Sequence, residues 1–327
     1  MDSSGGNTNT GFRKPPLLLS IGIQVGKRLG LAPRILRRFL SQVTDEGIKR
    51  KAFEGYVPTE KDVFAAVFGK SGTNWMMQIA IQIAHRGHAE FDHIHQLVPW
   101  PDAALKLPLK LTDPGPSERS PTGLRAIKTH NDAAFIPYDE KATYLTILRD
   151  PKEVVVSGYY FICGILDLLS HIDMNTWFES CLQESGGLIE AWSVHADSFW
   201  RWKDRPNVLV LSYPEVKAEP RRCIEQVAET MGVQLSGEEL DRVIERSRFD
   251  YMHRHESKFA PPKPRFSRAK DRPRMVRRGQ TGQSEEALSQ SQQVAIDQFC
   301  LAELERLGSD LPYADLFKVS AGVALKS

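Results

Sequence analysis

Residues 67–75 read VFGKSGTNW, a Gly-Lys-Ser in a short loop. Ahead of it runs DVFAAVF, residues 62–68, and behind it TNWMMQIAIQIAHRG, residues 73–87. The first is a short apolar run suited to a buried strand. The second reads as a helix closed by Gly87 as its C-terminal cap. A strand, a glycine loop and a helix start form an anion cradle, because the first N–H groups of the helix have no intrahelical partner and the dipole favours negative charge. Lys70 adds a mobile cation, Gly72 lets backbone approach a ligand, and Ser71, Thr73 and Asn74 add side-chain donors. Trp75 offers a flat aromatic surface. The triphosphate loop G-x-x-x-x-G-K-[ST] would need glycine at position 64, where Phe64 stands in the strand. The loop is therefore a cradle of another type, or a plain strand–helix turn with a surface lysine.

Further along, IKTH at 127–130 puts Lys128 and His130 at a strand end, on the same side by alternation. In open parallel sheets ligands sit at the carboxyl ends of strands. TILRDPKEVVVSGYYF at 146–161 repeats the plan, with Arg149 at a strand end, Pro151 opening a helix and Ser157 about two turns in. An arginine fork suits phosphate, although Arg149 could equally pair with a carboxylate. KEVVVSGYYFICGIL, LIEAWSVHADSFWRWK, EPRRCIEQVAETMG, SGEELDRVIERS and SQSQQVAIDQFCLAELERLG read as helices, and NVLVLSY as a strand. Ser236 and Glu239 have capping-box spacing. Residues 96–124 are rich in proline and glycine and form a long loop region of the sort that often carries function. Strands alternating with helices predict an α/β fold around a parallel sheet covered on both faces.

The 327 residues suffice for one large α/β domain or two small ones, and 41% apolar with 26% charged is ordinary for a soluble globular chain. A net charge of +2 does not call for nucleic acid or an acidic membrane. Cys163, Cys181, Cys223 and Cys300 form no CxxC and no zinc pattern, and read as reduced thiols of a cytoplasmic protein. PPLLLSIGIQVG near the N-terminus is cut short by Lys27 and Arg28, below the roughly 20 apolar residues a span needs. KRLGLAPRILRRFL has basic and apolar residues at near-helical spacing, fitting a helix packed on the domain better than one lying on a membrane. Residues 1–12 read as disordered. The expected layout is an extension over 1–60, a domain over 61–318 and a tail over 319–327.

Together these stretches resemble the soluble sulfotransferases that use 3′-phosphoadenosine 5′-phosphosulfate (PAPS). Their 5′-phosphosulfate loop reads like PKSGTxW, here GKSGTNW with Gly69 for proline; K-T-H matches Lys128 to His130. R-x-P-K-D-x-x-V-S-x-Y is similar to RDPKEVVVSGYYF, with Glu153 for aspartate. R-K-G-x-x-G-x-W is similar to RRGQTGQS at 277–284, with Ser284 for tryptophan. Four ordered elements, from about residue 61 to about 300, carry the likeness.

The resemblance implies that Lys70, Ser71, Gly72, Thr73, Asn74 and Trp75 hold the 5′-phosphosulfate and flank the adenine. It implies that Arg149, Ser157, Arg277, Arg278 and Gly279 hold the 3′-phosphate. Tyr213, Ser247 and Phe249 match adenine-side positions, with Arg248 where the family has a small residue. In-line sulfuryl transfer needs positioning and charge stabilisation more than covalent help. Lys70 would neutralise the leaving phosphate and Lys128 the moving group, with Ser157 contacting the donor-side lysine. His130, with an unperturbed pKa of about 6.5, would take the proton of a hydroxyl, or an amine, on a small apolar acceptor. Val98, Trp100 and Phe161, with Lys128 and His130, are the expected acceptor contacts. PAPS is the expected donor and 3′-phosphoadenosine 5′-phosphate (PAP) the product; no metal and no nucleic-acid partner are expected. At the end of the basic run RFSRAKDRPRMVRR, Arg277 and Arg278 would close over the nucleotide, with most of the other charges in solvent. The family dimer motif K-x-x-x-T-V-x-x-x-E would fall at 285–294, where EEALSQSQQV does not match it. The competing readings are a nucleotide-dependent kinase with an altered phosphate loop and a non-catalytic nucleotide-binding protein.

Overall fold

The computed structural model describes residues 17–103, 107–183, 186–261 and 282–323. Four strands, β1 (Asp62–Ala66), β2 (Arg125–Thr129), β3 (Thr143–Leu148) and β4 (Val208–Ser212), form one sheet in the order β2-β1-β3-β4. All neighbours are parallel, with Ala65 opposite Lys128 on one side and Leu145 on the other. From β1 the chain crosses to β2 and then returns to β3 on the other flank. The switch point of the sheet therefore lies between β1 and β3, where open sheets bind ligands beyond the carboxyl ends. The loop of Gly69 to Gly72 leaves β1 at that point, and Arg149 leaves β3 beside it.

The strands are near-continuous apolar runs because both faces are covered. Val63, Ala65 and Val67 pack with the helix Thr73–Ala84 and the helices Pro220–Thr230 and Gly237–Ser247. Phe64 and Ala66 face the other way, and Phe64 stacks on Tyr144 with ring centroids 4.9 Å apart. The residue that breaks the triphosphate pattern is thus a core aromatic. The helix Thr73–Ala84 is buried at every position except Trp75, and its glutamines find polar partners: Gln78 Nε2 donates to the Arg246 carbonyl and Gln82 Nε2 to that of Ala89. The capping box at Ser236 and Glu239 forms as expected.

Among the described residues the extension carries three helices, α1 (Leu17–Arg28), α2 (Ala32–Thr44) and α3 (Glu46–Ala52). Ala32, Leu36 and Leu40, each four apart, bury one stripe of α2 in the core with Val155 and Trp192. On α1, Leu17, Leu18, Leu19, Ile21 and Val25 are exposed, while Lys27 and Gln24 bond Asp167 at 2.5 and 3.1 Å. Among the described residues no helix is long and apolar enough to cross a membrane. All four cysteines are free and buried. Residues 1–12, and Arg277, Arg278 and Gly279 with the basic run before them, lie outside the described residues.

The helix expected to run unbroken through KEVVVSGYYFICGIL changes type: Pro151–Gly158 is α-helical and Tyr159–Cys163 is one wide π turn. Trp177 Nε1 donates to the Val155 carbonyl at 2.9 Å, a foreign donor inside the ladder, and such insertions open a helix locally. Gly158 permits the approach, since a Cβ there would meet Trp177 at 2.9 Å.

Candidate active site

A continuous cavity of about 1440 Å³ opens over the carboxyl ends of β1, β2 and β3. In the loop below it, Lys70 has φ 69 and Gly72 φ 107. A Cβ on Gly72 would meet Ile147 and Tyr213, both at 3.4 Å, on top of the left-handed strain. These two turns bring Lys70 to the cavity and aim the start of the helix Thr73–Ala84 at it. The Lys70 ammonium lies 4.0 Å from the centre of the Phe161 ring, which the π turn presents.

Lys128 and His130 reach the cavity together. The Lys128 ammonium sits 3.3 Å over the Trp100 ring. Burial pushes its pKa down to about 7; nearby Lys70 pushes the same way and Asp102 opposes. The His130 main-chain N–H donates to Asp102 Oδ2 at 2.8 Å, and its ring meets Trp100 edge-on at 5.3 Å. Its Nδ1 lies 2.7 Å from the Val67 carbonyl. A carbonyl only accepts, so Nδ1 carries the proton and Nε2 keeps its lone pair. Burial, then the Lys128 charge, lowers the His130 pKa to about 3. The ring is neutral, in one tautomer, at working pH.

At the other end of the cavity stand Arg149, Ser157, Trp75, Tyr213, Ser247 and Phe249. Trp75 and Tyr213 meet edge to face at 5.7 Å, and the Arg149 guanidinium lies 4.5 Å over the Tyr213 ring. Arg248 turns outward to Asp250 at 3.4 Å and is largely exposed. Three buried polar atoms of these lining residues and their neighbour Asn74 have no protein partner among the described residues, Asn74 Nδ2, Arg149 Nε and Ser247 Oγ, and Ser71 Oγ, in the loop and not in the cavity lining, is a fourth. Buried donors are seldom left so, and the three in the lining suit an anionic, phosphate-bearing ligand. Among the described residues no group of three or more His, Cys, Asp or Glu is set to hold a metal.

One expected acceptor contact is corrected. Val98 is completely buried in the core and does not line the cavity; its carbonyl instead faces His95 Nδ1 at 2.8 Å. Trp100 and Phe161 do line it.

Residues 60–308 match the family described as the Sulfotransferase domain. The chain belongs to the sulfotransferase family. It is 26% identical over 270 residues to Sulfotransferase 2A1 of Macaca fascicularis, covering 80% of this chain and 90% of that protein. It is 26% identical over 235 residues to a 3-beta-hydroxysteroid sulfotransferase of Cavia porcellus, covering 70% and 74%. A solved retinol dehydratase, in complex with androsterone and the inactive cofactor PAP, superposes with a TM-score of 0.65 at 19% identity, over 79% of this chain and 84% of that one.

In this sulfotransferase, three further side chains shape the site: Asp102 and His195, which no motif contains, and Glu153, which the motifs mark only as a departure from aspartate. Asp102 anchors the His130 backbone from the proline-rich loop. His195 enters the cavity from the helix Leu188–Trp200. Glu153 joins two of the departures from the family pattern: its Oε1 accepts from Gly282 N at 3.0 Å and from Ser284 N and Oγ, both at 2.9 Å. Its Oε2 accepts from Arg149 Nη2 at 3.2 Å. Glutamate for aspartate and serine for tryptophan thus meet in one buried cluster. Replacing Glu153 with alanine leaves these donors without their acceptor, and is expected to cost about 1–3 kcal/mol. Urea midpoints would measure it; a loss below a few tenths would mean that water replaces the carboxylate.

Proposed function

We propose that this chain moves a sulfuryl group from PAPS to the hydroxyl of a lipophilic acceptor, with His130 as general base. The donor of this sulfotransferase is PAPS and the product nucleotide is PAP. The observation that carries the rest is the convergence of Lys70, Lys128 and the lone pair of His130 Nε2 on one cavity. PAPS, when bound, supplies the sulfuryl group and a phosphate leaving group. His130 Nε2 takes the hydroxyl proton as the acceptor oxygen bonds sulfur and the sulfur–phosphate oxygen bond breaks. Lys70 and Ser157 stabilise the leaving phosphate, and Lys128 the group in transit. Arg149, with Arg277, Arg278 and Gly279, binds the 3′-phosphate. Trp75, Tyr213, Ser247 and Phe249 hold the adenine. The acceptor walls are apolar: Ile23 of α1, Ile35 and Phe39 of α2, and Phe161, Ile165 and Leu188. A relative named for 3-beta-hydroxysteroids and a neighbour in complex with androsterone support a lipophilic alcohol.

The test is thermal unfolding with PAP, AMP or ATP/Mg²⁺. PAP at 100 times its Kd should stabilise by about 2.7 kcal/mol through mass action, and AMP much less at equal concentration. Stabilisation by ATP/Mg²⁺ but not PAP would favour the kinase reading.

Lys128 gives a second check. Its folded value of about 7 lies below the ordinary 10.5. Between these values the folded, ligand-free protein holds fewer protons than the unfolded chain, so this group's contribution to stability rises with pH there. An anion beside the ammonium restores its charge. PAP binding near pH 8 should therefore take up a proton, detectable by calorimetry in buffers of different ionisation enthalpy. Lys128→Met should abolish the uptake; observed heats that do not vary with the buffer's ionisation enthalpy in the unsubstituted protein would refute it.

A further inference from the structure

His195 is 2% exposed, yet neither ring nitrogen has a protein partner among the described residues. It lines the cavity. Phe68 meets its ring edge-on at 5.6 Å, and Phe199 lies 4.9 Å away. Phe68 follows Val67, whose carbonyl holds His130. The two histidines therefore flank the same two residues of chain, at the acceptor end of the cavity. Asp132 does not occupy His195, for its Oδ2 accepts from Lys49 at 2.9 Å and its Oδ1 from Ala134 N at 3.3 Å. Nearby charges oppose one another, Asp132 favouring the protonated ring and Lys49 disfavouring it, and burial lowers the pKa to about 3. The ring is neutral, with one donor and one acceptor.

We propose that His195 recognises the acceptor, hydrogen-bonding a second hydroxyl or carbonyl oxygen distinct from the hydroxyl that receives the sulfuryl group. The inference rests on the sulfotransferase reading above. A buried imidazole with no partner is costly, and its walls of phenylalanine leave the cavity as the side from which a partner can come. A neutral imidazole pairs with a hydroxyl in either direction and with a carbonyl through its N–H. A site built to hydrogen-bond an oxygen discriminates steeply against the analogue that lacks it, because the protein group is then stranded. The preferred acceptor is accordingly a lipophilic alcohol with two oxygen functions, not a simple one.

The test uses matched acceptors with PAPS: phenol and catechol derivatives, and monohydroxy steroids with the same skeletons bearing a second hydroxyl or ketone. The readout is the ratio of kcat/KM within each pair. The protein should favour the two-oxygen member of at least one pair by about tenfold, and His195→Leu should bring that ratio near one. His195→Gln, which keeps a donor and an acceptor, should retain part of the preference. PAP-induced stabilisation reports folding of each variant; should the leucine variant not fold, the decision passes to the glutamine variant and the ratios of the parent. Ratios near one in the parent for every pair, or a ratio that His195→Leu and His195→Gln leave unchanged, would overturn the proposal. No sulfation of any acceptor, with PAP still bound, would instead sink the transfer reading on which it rests.

Discussion

Replacing His130 with alanine is expected to lower turnover with PAPS by about 10²–10⁴-fold, the usual range for a positioned general base. Stabilisation by PAP should persist in the variant. The separation follows from geometry. The His130 ring is anchored by the Val67 carbonyl and braced by Trp100, while the unpartnered polar atoms of Asn74, Arg149 and Ser247, which are proposed to bind the nucleotide, belong to other lining residues. Its rival is Lys128, whose lowered pKa of about 7 also permits a base near neutrality. If His130→Ala kept its turnover and Lys128→Met lost it, the proton-accepting role would pass to the lysine. Acid should act on stability as well as rate. His130 and His195 both fall from the ordinary 6.5 to about 3. Between those values the unfolded chain binds more protons, so stability is lost as pH falls from 6.5 towards 3.

The features legible in the sequence are those set by neighbours along the chain. A strand of buried apolar residues, a glycine loop, a helix start and a lysine all lie within residues 62–84, so local chemistry specifies the cradle. The capping box at Ser236 needed only four residues to be read. The stripe Ala32, Leu36, Leu40 shows in the spacing of α2. The features hidden from the sequence depend on partners brought together by folding. Asp102 lies 28 residues from His130 and Glu153 lies 131 from Ser284; no local pattern links them. The π turn at Tyr159–Cys163 is imposed by Trp177, from a different helix. Val98 stands in the right loop, yet faces the core because His95 and Trp100 take the cavity side. A single histidine on a largely buried helix reads as core, and for His195 only the lack of partners for its ring nitrogens shows otherwise.

Removing the Asp297 carboxylate should be the most damaging change outside the cavity. Lys152, at the start of the helix that carries Ser157, is buried, and its ammonium meets Asp297 Oδ1 at 2.5 Å. Tyr313 OH donates to the same oxygen at 2.7 Å, and Ser320 N to Oδ2 at 2.8 Å. Despite its burial, these donors hold the Asp297 carboxyl below its ordinary 3.8. Asp297→Ala leaves a buried ammonium with Asp150, at 3.1 Å, as its remaining carboxylate partner. Breaking one side of a buried pair costs about 3–5 kcal/mol, and urea unfolding should show that loss. Asp297→Asn, which keeps one acceptor oxygen for Lys152 and Tyr313 while its amide NH2 cannot accept from Ser320 N, should lose less than alanine but more than nothing. Replacing both partners, Lys152→Met with Asp297→Leu, should recover much of the stability, because neither charge is then stranded. The depressed carboxyl pKa also fixes the direction with pH: the contribution is present above 3.8 and lost as pH falls through the lower folded value. A cost under 1 kcal/mol for Asp297→Ala would mean that the lysine escapes to solvent and that the pair does not hold the helix Pro151–Gly158 against the helix Gln290–Arg306.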